Sequence, residues 1–159
     1  MSWNVQGETG ISDKRMQQQL KFLQAHASDI DLLLFQAVHY ERTENDGWGG
    51  QLGTIRDYLT RHDYAIVHTA DWAEELATSN VQPHTDIVGA HNRCNLIASQ
   101  WPITRCPLTL RNRGSGKPRG LNYYYSHFPE KMLVAEVDVS ASLELAADTL
   151  ELWNVGIIN

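Results

Sequence analysis

The sequence predicts a mixed-sheet α/β fold in one domain covering residues 1–159. Three observations predict it. The first half alternates strand-like and helix-like patterns, whereas the second half gives strand after strand, an order that belongs to mixed rather than purely parallel sheets. Ile30–Phe35 is a nearly continuous apolar run, as in strands covered on both faces. Met132–Val139 alternates, with Leu133, Ala135 and Val137 on one side and Val134, Glu136 and Asp138 on the other.

The elements follow in order. Trp3–Gln6 reads as a buried strand, and Gly7 and Gly10 punctuate the turn after it. Ser12 or Asp13 can cap a helix. Met16, Leu20 and Leu23 recur at i, i+4 and i+7, so 13–26 is expected to be an amphipathic helix. The strand Ile30–Phe35 comes next. Thr43–Gly50 is a loop by composition, rich in Gly, Asn and Asp. Leu52, Ile55 and Leu59 give a second helical stripe ending near His62, and Tyr64–Thr69 alternates as a strand. Ala70–Thr78 reads as a short helix or irregular segment and Ser79–Asn92 as loop. Asn95–Ser99 is a strand that breaks at Trp101-Pro102. Arg111–Gly120, with three glycines and a proline, is expected to be a mobile loop. Leu150–Ile158 is the last strand. It runs to the terminus as Ile157-Ile158-Asn159, so the domain is expected to be incomplete at its C-terminal end.

The composition narrows the class. With 42% hydrophobic and 20% charged residues the chain is an ordinary globular one that can bury a core. No apolar run approaches the ~20 residues of a membrane helix. Met1–Val5 has neither a basic n-region nor an apolar h-region, so a cytoplasmic location without membrane attachment is expected. Cys94 and Cys106 fit neither a disulfide framework nor a zinc motif, and the spacing of His84 and His91 matches no zinc motif either. The net charge of -6 argues against a general nucleic-acid coat protein. Its distribution is uneven. From Ile87 to Phe128 there is no Asp or Glu, while Arg93, Arg105, Arg111, Arg113, Lys117 and Arg119 all fall there. Such a segment suits local anion binding or a solvated loop.

Three segments carry the chemical signal by their order. They are Trp3-Asn4-Val5-Gln6, Asp31-Leu32-Leu33-Leu34-Phe35-Gln36-Ala37-Val38, and Asn95-Leu96-Ile97-Ala98-Ser99-Gln100-Trp101-Pro102-Ile103. Together they resemble the endonuclease/exonuclease/phosphatase superfamily, with its T-W-N-like first strand, its D-hydrophobic-Q-E strand and its N-hydrophobic-S-(R/K)-x-P-I strand. Leu133–Val137 and Leu150–Val155 resemble the paired strands of that family's middle region. The resemblance spans this chain but only the N-terminal part of the family's domain. It implies a two-sheet sandwich of the DNase I-like type with Mg²⁺ or Mn²⁺ at one edge. The implied reaction is in-line attack of water on a phosphodiester or phosphomonoester, with DNA or another phosphate ester as substrate. Asn4 matches the Asn that helps arrange the metal site, and Gln36 the Gln beside the metal-binding Glu. Read without the resemblance, Asn4 is a strand-end residue bonding to turn backbone, and Gln36 is an amide satisfying buried backbone.

Departures from the pattern weigh equally. Ala37 stands at the position of the metal-binding Glu and has no oxygen to offer; Glu41, nearby in sequence, and Glu8, at a neighbouring strand end, are the candidate substitutes. Gly156 stands where the resemblance calls for a His. The Asp-x-Asn segment and terminal Asp-His pair have no counterpart in residues 1–159. Arg111, Arg113, Lys117 and Arg119 precede Tyr123-Tyr124-Tyr125, and cations beside aromatics suit a loop that contacts phosphates and stacks on bases, with Tyr123 as its first aromatic. The same tyrosines can instead form an edge strand. Three readings stay open: a nuclease-like metal-dependent phosphohydrolase with impaired activity, a non-catalytic fragment or pseudoenzyme that at most binds an anion, and an interaction module that self-associates through an uncovered sheet edge.

Overall fold

A computed structural model of the chain describes residues 1–6, 13–45, 47–71, 93–105, 132–141 and 148–155. Within these residues the architecture is mixed α/β in three layers: two helices, a four-stranded sheet and a three-stranded sheet. The four-stranded sheet contains β1 (Ser2–Asn4), β2 (Leu32–His39), β5 (Ala65–His68) and β6 (Arg93–Ser99), in the order β1-β2-β6-β5. β1 is parallel to β2; β6 is antiparallel to both β2 and β5. The three-stranded antiparallel sheet has the order β7-β8-β9, from β7 (Ile103–Arg105), β8 (Met132–Asp138) and β9 (Thr149–Val155). The pairing of the last two strands, expected from their resemblance, is continuous from Met132↔Val155 to Asp138↔Thr149.

Two apolar clusters separate the layers. Leu23 of α1 (Asp13–His26) and Leu52, Ile55 and Leu59 of α2 (Gly50–Arg61) pack on Leu33, Phe35, Val38, Cys94, Leu96 and Ala98 of the first sheet. Alternation along β2 and β6 sends Leu34 and Ile97 to the opposite face, where they meet Leu133, Ala135 and Leu152 of the second sheet. That division explains why the apolar run beginning at Ile30 is nearly continuous: both faces of the strand are covered. After α1, the turn Ala27–Asp29 is tied down by the Tyr64 hydroxyl, which donates to the Ala27 carbonyl at 2.6 Å and also reaches that of Ile30.

The structure departs from the sequence reading in four places. β2 runs four residues past Phe35, to His39. Residues 43–50, expected to be loop throughout, instead hold the second strand of a hairpin, β3 (Glu41–Arg42) with β4 (Trp48–Gly49). Its turn closes through Thr43 N–H to the Gly47 carbonyl at 3.1 Å and Gly47 N–H to Thr43 Oγ1 at 3.0 Å. Two-residue strands are too short to show alternation, and so composition alone misreads them. The buried face of α1 is centred on Gln19 and Leu23, while Met16 and Leu20 are only half-buried. β1 is an edge strand whose Trp3 is half-buried, rather than a fully buried one. Arg111, Arg113, Lys117, Arg119, Tyr123, Cys106, Glu8 and Gly156 lie outside the described residues, as does most of 70–92. No helix among the described residues is long and apolar enough to cross a membrane.

Candidate functional site

The site is built around an irregularity in β2. Between Phe35↔Leu96 and Val38↔Cys94, β2 advances three residues while β6 advances two, so one extra residue is accommodated as a bulge. Ala37 takes it up with φ of 54°, in the left-handed region that costs an L-residue about 1–2 kcal/mol. The bulge keeps Phe35 and Val38 on the helix face together. It also leaves Gln36 on the side of the second sheet.

Sequence reading singled out Asn4 and Gln36, and the structure makes them register partners on β1 and β2. Their side chains are engaged locally. Asn4 Oδ1 accepts the Gln6 N–H at 3.0 Å, the turn-forming bond that its residue type favours. Gln36 Nε2 donates to Ser2 Oγ at 3.0 Å and to Asn154 Oδ1 at 2.7 Å. Asn154, which the sequence marks only as part of the resembled segment Asn154-Val155-Gly156, is the member not chosen as a site residue. It is buried on β9 and reaches across to the bulge, where Nδ2 donates to the Phe35 and Leu96 carbonyls, both at 2.9 Å. Asn95 Nδ2 in turn donates to the Asn154 carbonyl at 3.1 Å. The available signal was a lone amide within an apolar strand, Leu152-Trp153-Asn154-Val155 and Cys94-Asn95-Leu96, since such a group must find buried partners.

A second amide relay braces the same end of the sheet from the helix side. Gln19 Nε2 donates to the Val5 carbonyl at 3.1 Å, Gln51 Nε2 donates to Gln19 Oε1 at 2.6 Å, and the His39 N–H donates to Gln51 Oε1 at 3.1 Å. The ends of β1 and β2 are thereby fixed through α1 and α2. Neutral amides orient groups by donating and accepting; they neither carry charge nor take a proton near neutral pH. Ala37 contributes no oxygen. Glu41, the substitute considered for it, is exposed and has Oε1 3.8 Å from His39 Nε2. Among the described residues no group of three or more His, Cys, Asp or Glu side chains is placed to hold a metal ion. A donor set of neutral amides does not fit Mg²⁺, which is held through carboxylate oxygens in near-octahedral geometry.

His68 closes the far end of the sheet. It is buried, its ring stands edge-on to Trp48 at 5.3 Å, and its Nδ1 has no hydrogen-bond partner among the described residues. Burial pushes its imidazole below the ordinary 6.5. The exposed Asp71 carboxylate, 3.6 Å from Nδ1, opposes this, while Arg56 and Arg42 act with burial. Arg42 sits 3.8 Å over the Trp48 ring. Burial prevails because the Asp71 charge is screened by water. A depressed pKa means that the unfolded chain takes up the proton first. Stability from this group is therefore complete above pH 6.5 and declines as pH falls through the folded-state value. His68→Phe, which keeps the ring and abolishes titration, is expected to flatten the acid-side loss of Tm. Parallel Tm-versus-pH curves for the two proteins would refute that assignment.

Comparison of the chain with protein-family models, with curated proteins and with solved structures yields no match.

Proposed function

We propose that this chain is built on the plan of the endonuclease/exonuclease/phosphatase superfamily, with a DNase I-like sandwich, and that residues 1–159 bind a phosphate ester without hydrolysing it. The observation that carries the reading is the bulge at Gln36-Ala37. It lies beside Asn4 in register and turns Gln36 toward Asn154, and Asn4 and Gln36 are the two residues that match polar positions of the resembled motifs. What argues against hydrolysis is chemical. In-line hydrolysis requires charge neutralisation at the phosphate and a base to activate water. The described residues at this site offer amides for orientation and the Arg15 guanidinium beside Asn4, but no base to activate water.

Titration with Mg²⁺ and Mn²⁺, run beside a cleavage assay on plasmid and abasic-site DNA, tests the proposal. The expected result is no metal-dependent cleavage. Ala37→Glu restores one carboxylate at the bulge and is expected to strengthen Mn²⁺ binding about tenfold, or ~1.4 kcal/mol, without conferring turnover. Robust metal-dependent turnover by the natural chain, or by Ala37→Glu alone, would show that other groups activate water and would overturn the non-hydrolytic reading.

A further inference from the structure

A cleft of about 410 Å³ lies between β1 and α1, directly beside Asn4. Its wall is aromatic. Trp3 and Phe22 have ring centroids 5.0 Å apart, and Trp3 is backed by Phe35 at 6.0 Å. Phe22 is 41% exposed, on a helix whose other exposed side chains are, Ala25 apart, lysine, glutamine and histidine. The polar lining consists of the amides of Asn4, Gln6, Gln18 and Gln19, with the guanidinium of Arg15. Arg15 Nη2 donates to the Val5 carbonyl at 3.2 Å and to Gln6 Oε1 at 3.4 Å, which fixes its charge at the mouth of the cleft. In a chain of net charge -6, α1 carries Lys14, Arg15 and Lys21 against a single acid, Asp13.

We propose that this cleft seats one unstacked base of a single-stranded nucleic acid, whose adjoining phosphate lies toward Asn4; the proposal rests on the phosphate-ester reading above and names its substrate class. An aromatic wall supplies the face on which a base stacks, and amides supply the paired donors and acceptors that a base edge presents. A cleft of this size has room for a base. A lipid phosphate would call for a wholly apolar groove, and a polyol phosphate offers no planar face to Trp3 and Phe22. Bases within a duplex are already stacked and cannot enter, which limits the ligand to single strands.

The test compares, at one fixed ionic strength, the anisotropy of a short labelled oligothymidylate with that of an abasic strand of equal length, using the full chain. Oligothymidylate is expected to bind about tenfold more tightly, the scale of one stacked base. Phe22→Ala and Gln18→Ala, both changes at exposed positions, are expected to bring oligothymidylate to the abasic level. Equal binding of the two strands by the natural chain would overturn the base seat and leave the phosphate-ester reading standing. Failure of both strands to bind would overturn the two together. Duplex binding as tight as single-strand binding would also overturn the base seat.

Discussion

Gly53→Ala is expected to lower Tm by roughly 5–10 °C, the largest loss from any single added methyl in the described part of the molecule. A Cβ built on Gly53 would lie 2.2 Å from the Trp48 carbonyl oxygen and 3.0 Å from the carbonyl carbon. The obstacle is backbone, so no side-chain rotation relieves it. The hairpin and the helix must separate by about 1 Å, and the interior beneath them does not compress to absorb that. Two effects of opposite sign compete. Alanine in place of glycine inside a helix is worth up to about 1 kcal/mol in the favourable direction. Overpacking against fixed backbone costs roughly 3 kcal/mol or more in a case this close, so the clash prevails. Thr60→Ala on the exposed side of the same helix is the control, expected to stay within ~0.5 kcal/mol of the parent. If Gly53→Ala melts at or above the parent temperature, β4 does not rest on α2 as described.

The consequence extends beyond stability, because the hairpin is what covers His68. Trp48 stands edge-on to both His68 and Tyr40, and Arg42 lies over the Trp48 ring. Lifting β4 off α2 admits water to the imidazole and removes the main cause of its lowered pKa. Gly53→Ala is therefore expected to weaken the acid-side dependence of Tm as well as to lower Tm itself. The glycines here have separate tasks: Gly50 makes the turn into α2 at φ of 64°, whereas Gly53 allows close approach. Sequence composition marked Gly50 only as part of a loop and gave no sign of the task of Gly53.

What the sequence showed, it showed through periodicity and through resemblance to motifs. The stripe through Met16, Leu20 and Leu23 located α1 at 13–26, and the alternation in 132–139 located β8, because burial on one face or both imposes a repeat that survives in the residues themselves. Asn4 and Gln36 were singled out for a different reason: the segments around them resemble motifs of one family, whereas Asn4 by itself is an exposed strand-end amide bonded to the Gln6 N–H. The bulge was not legible. Nothing in Gln36-Ala37-Val38 announces a left-handed alanine, since glycine or asparagine would be the ordinary choice there. The relay through Gln19 and Gln51 was hidden as well. Polar residues on a helix read as solvent-facing, and only the packing of α1 against α2 turns these two inward. The face of α1 was misjudged for the same reason, by weighting Met16 over Gln19.

Asn154→Ala is the second change with a large expected effect, about 3–5 kcal/mol of destabilisation. Asn154 takes part in four hydrogen bonds that cross from one sheet to the other: two from its own amide to the Phe35 and Leu96 carbonyls, one from Gln36 and one from Asn95 to its backbone oxygen. Alanine removes the first three and leaves two buried carbonyls at the bulge short of a donor. Each buried group left unsatisfied costs roughly 1–3 kcal/mol, more than the bond itself contributes when made. Asn154→Asp has nearly the same shape and is expected to be worse at neutral pH, since it sets carboxylate oxygens against carbonyl oxygens. The difference between Asp and Ala should shrink on acidification, because a protonated carboxyl regains one donor. A urea titration of the three proteins at neutral and acid pH distinguishes this from simple loss of volume. A double-mutant cycle with Gln36→Ala separates the amide–amide bond from the rest. If Asn154→Ala proves nearly neutral, the sheets are held together by their apolar contact alone. The bulge would then be set by β2 itself. A coupling of ~1 kcal/mol or more between Asn154 and Gln36 would instead mean that the second sheet holds the bulge in place, and with it the strand-end arrangement on which the phosphate-ester reading depends.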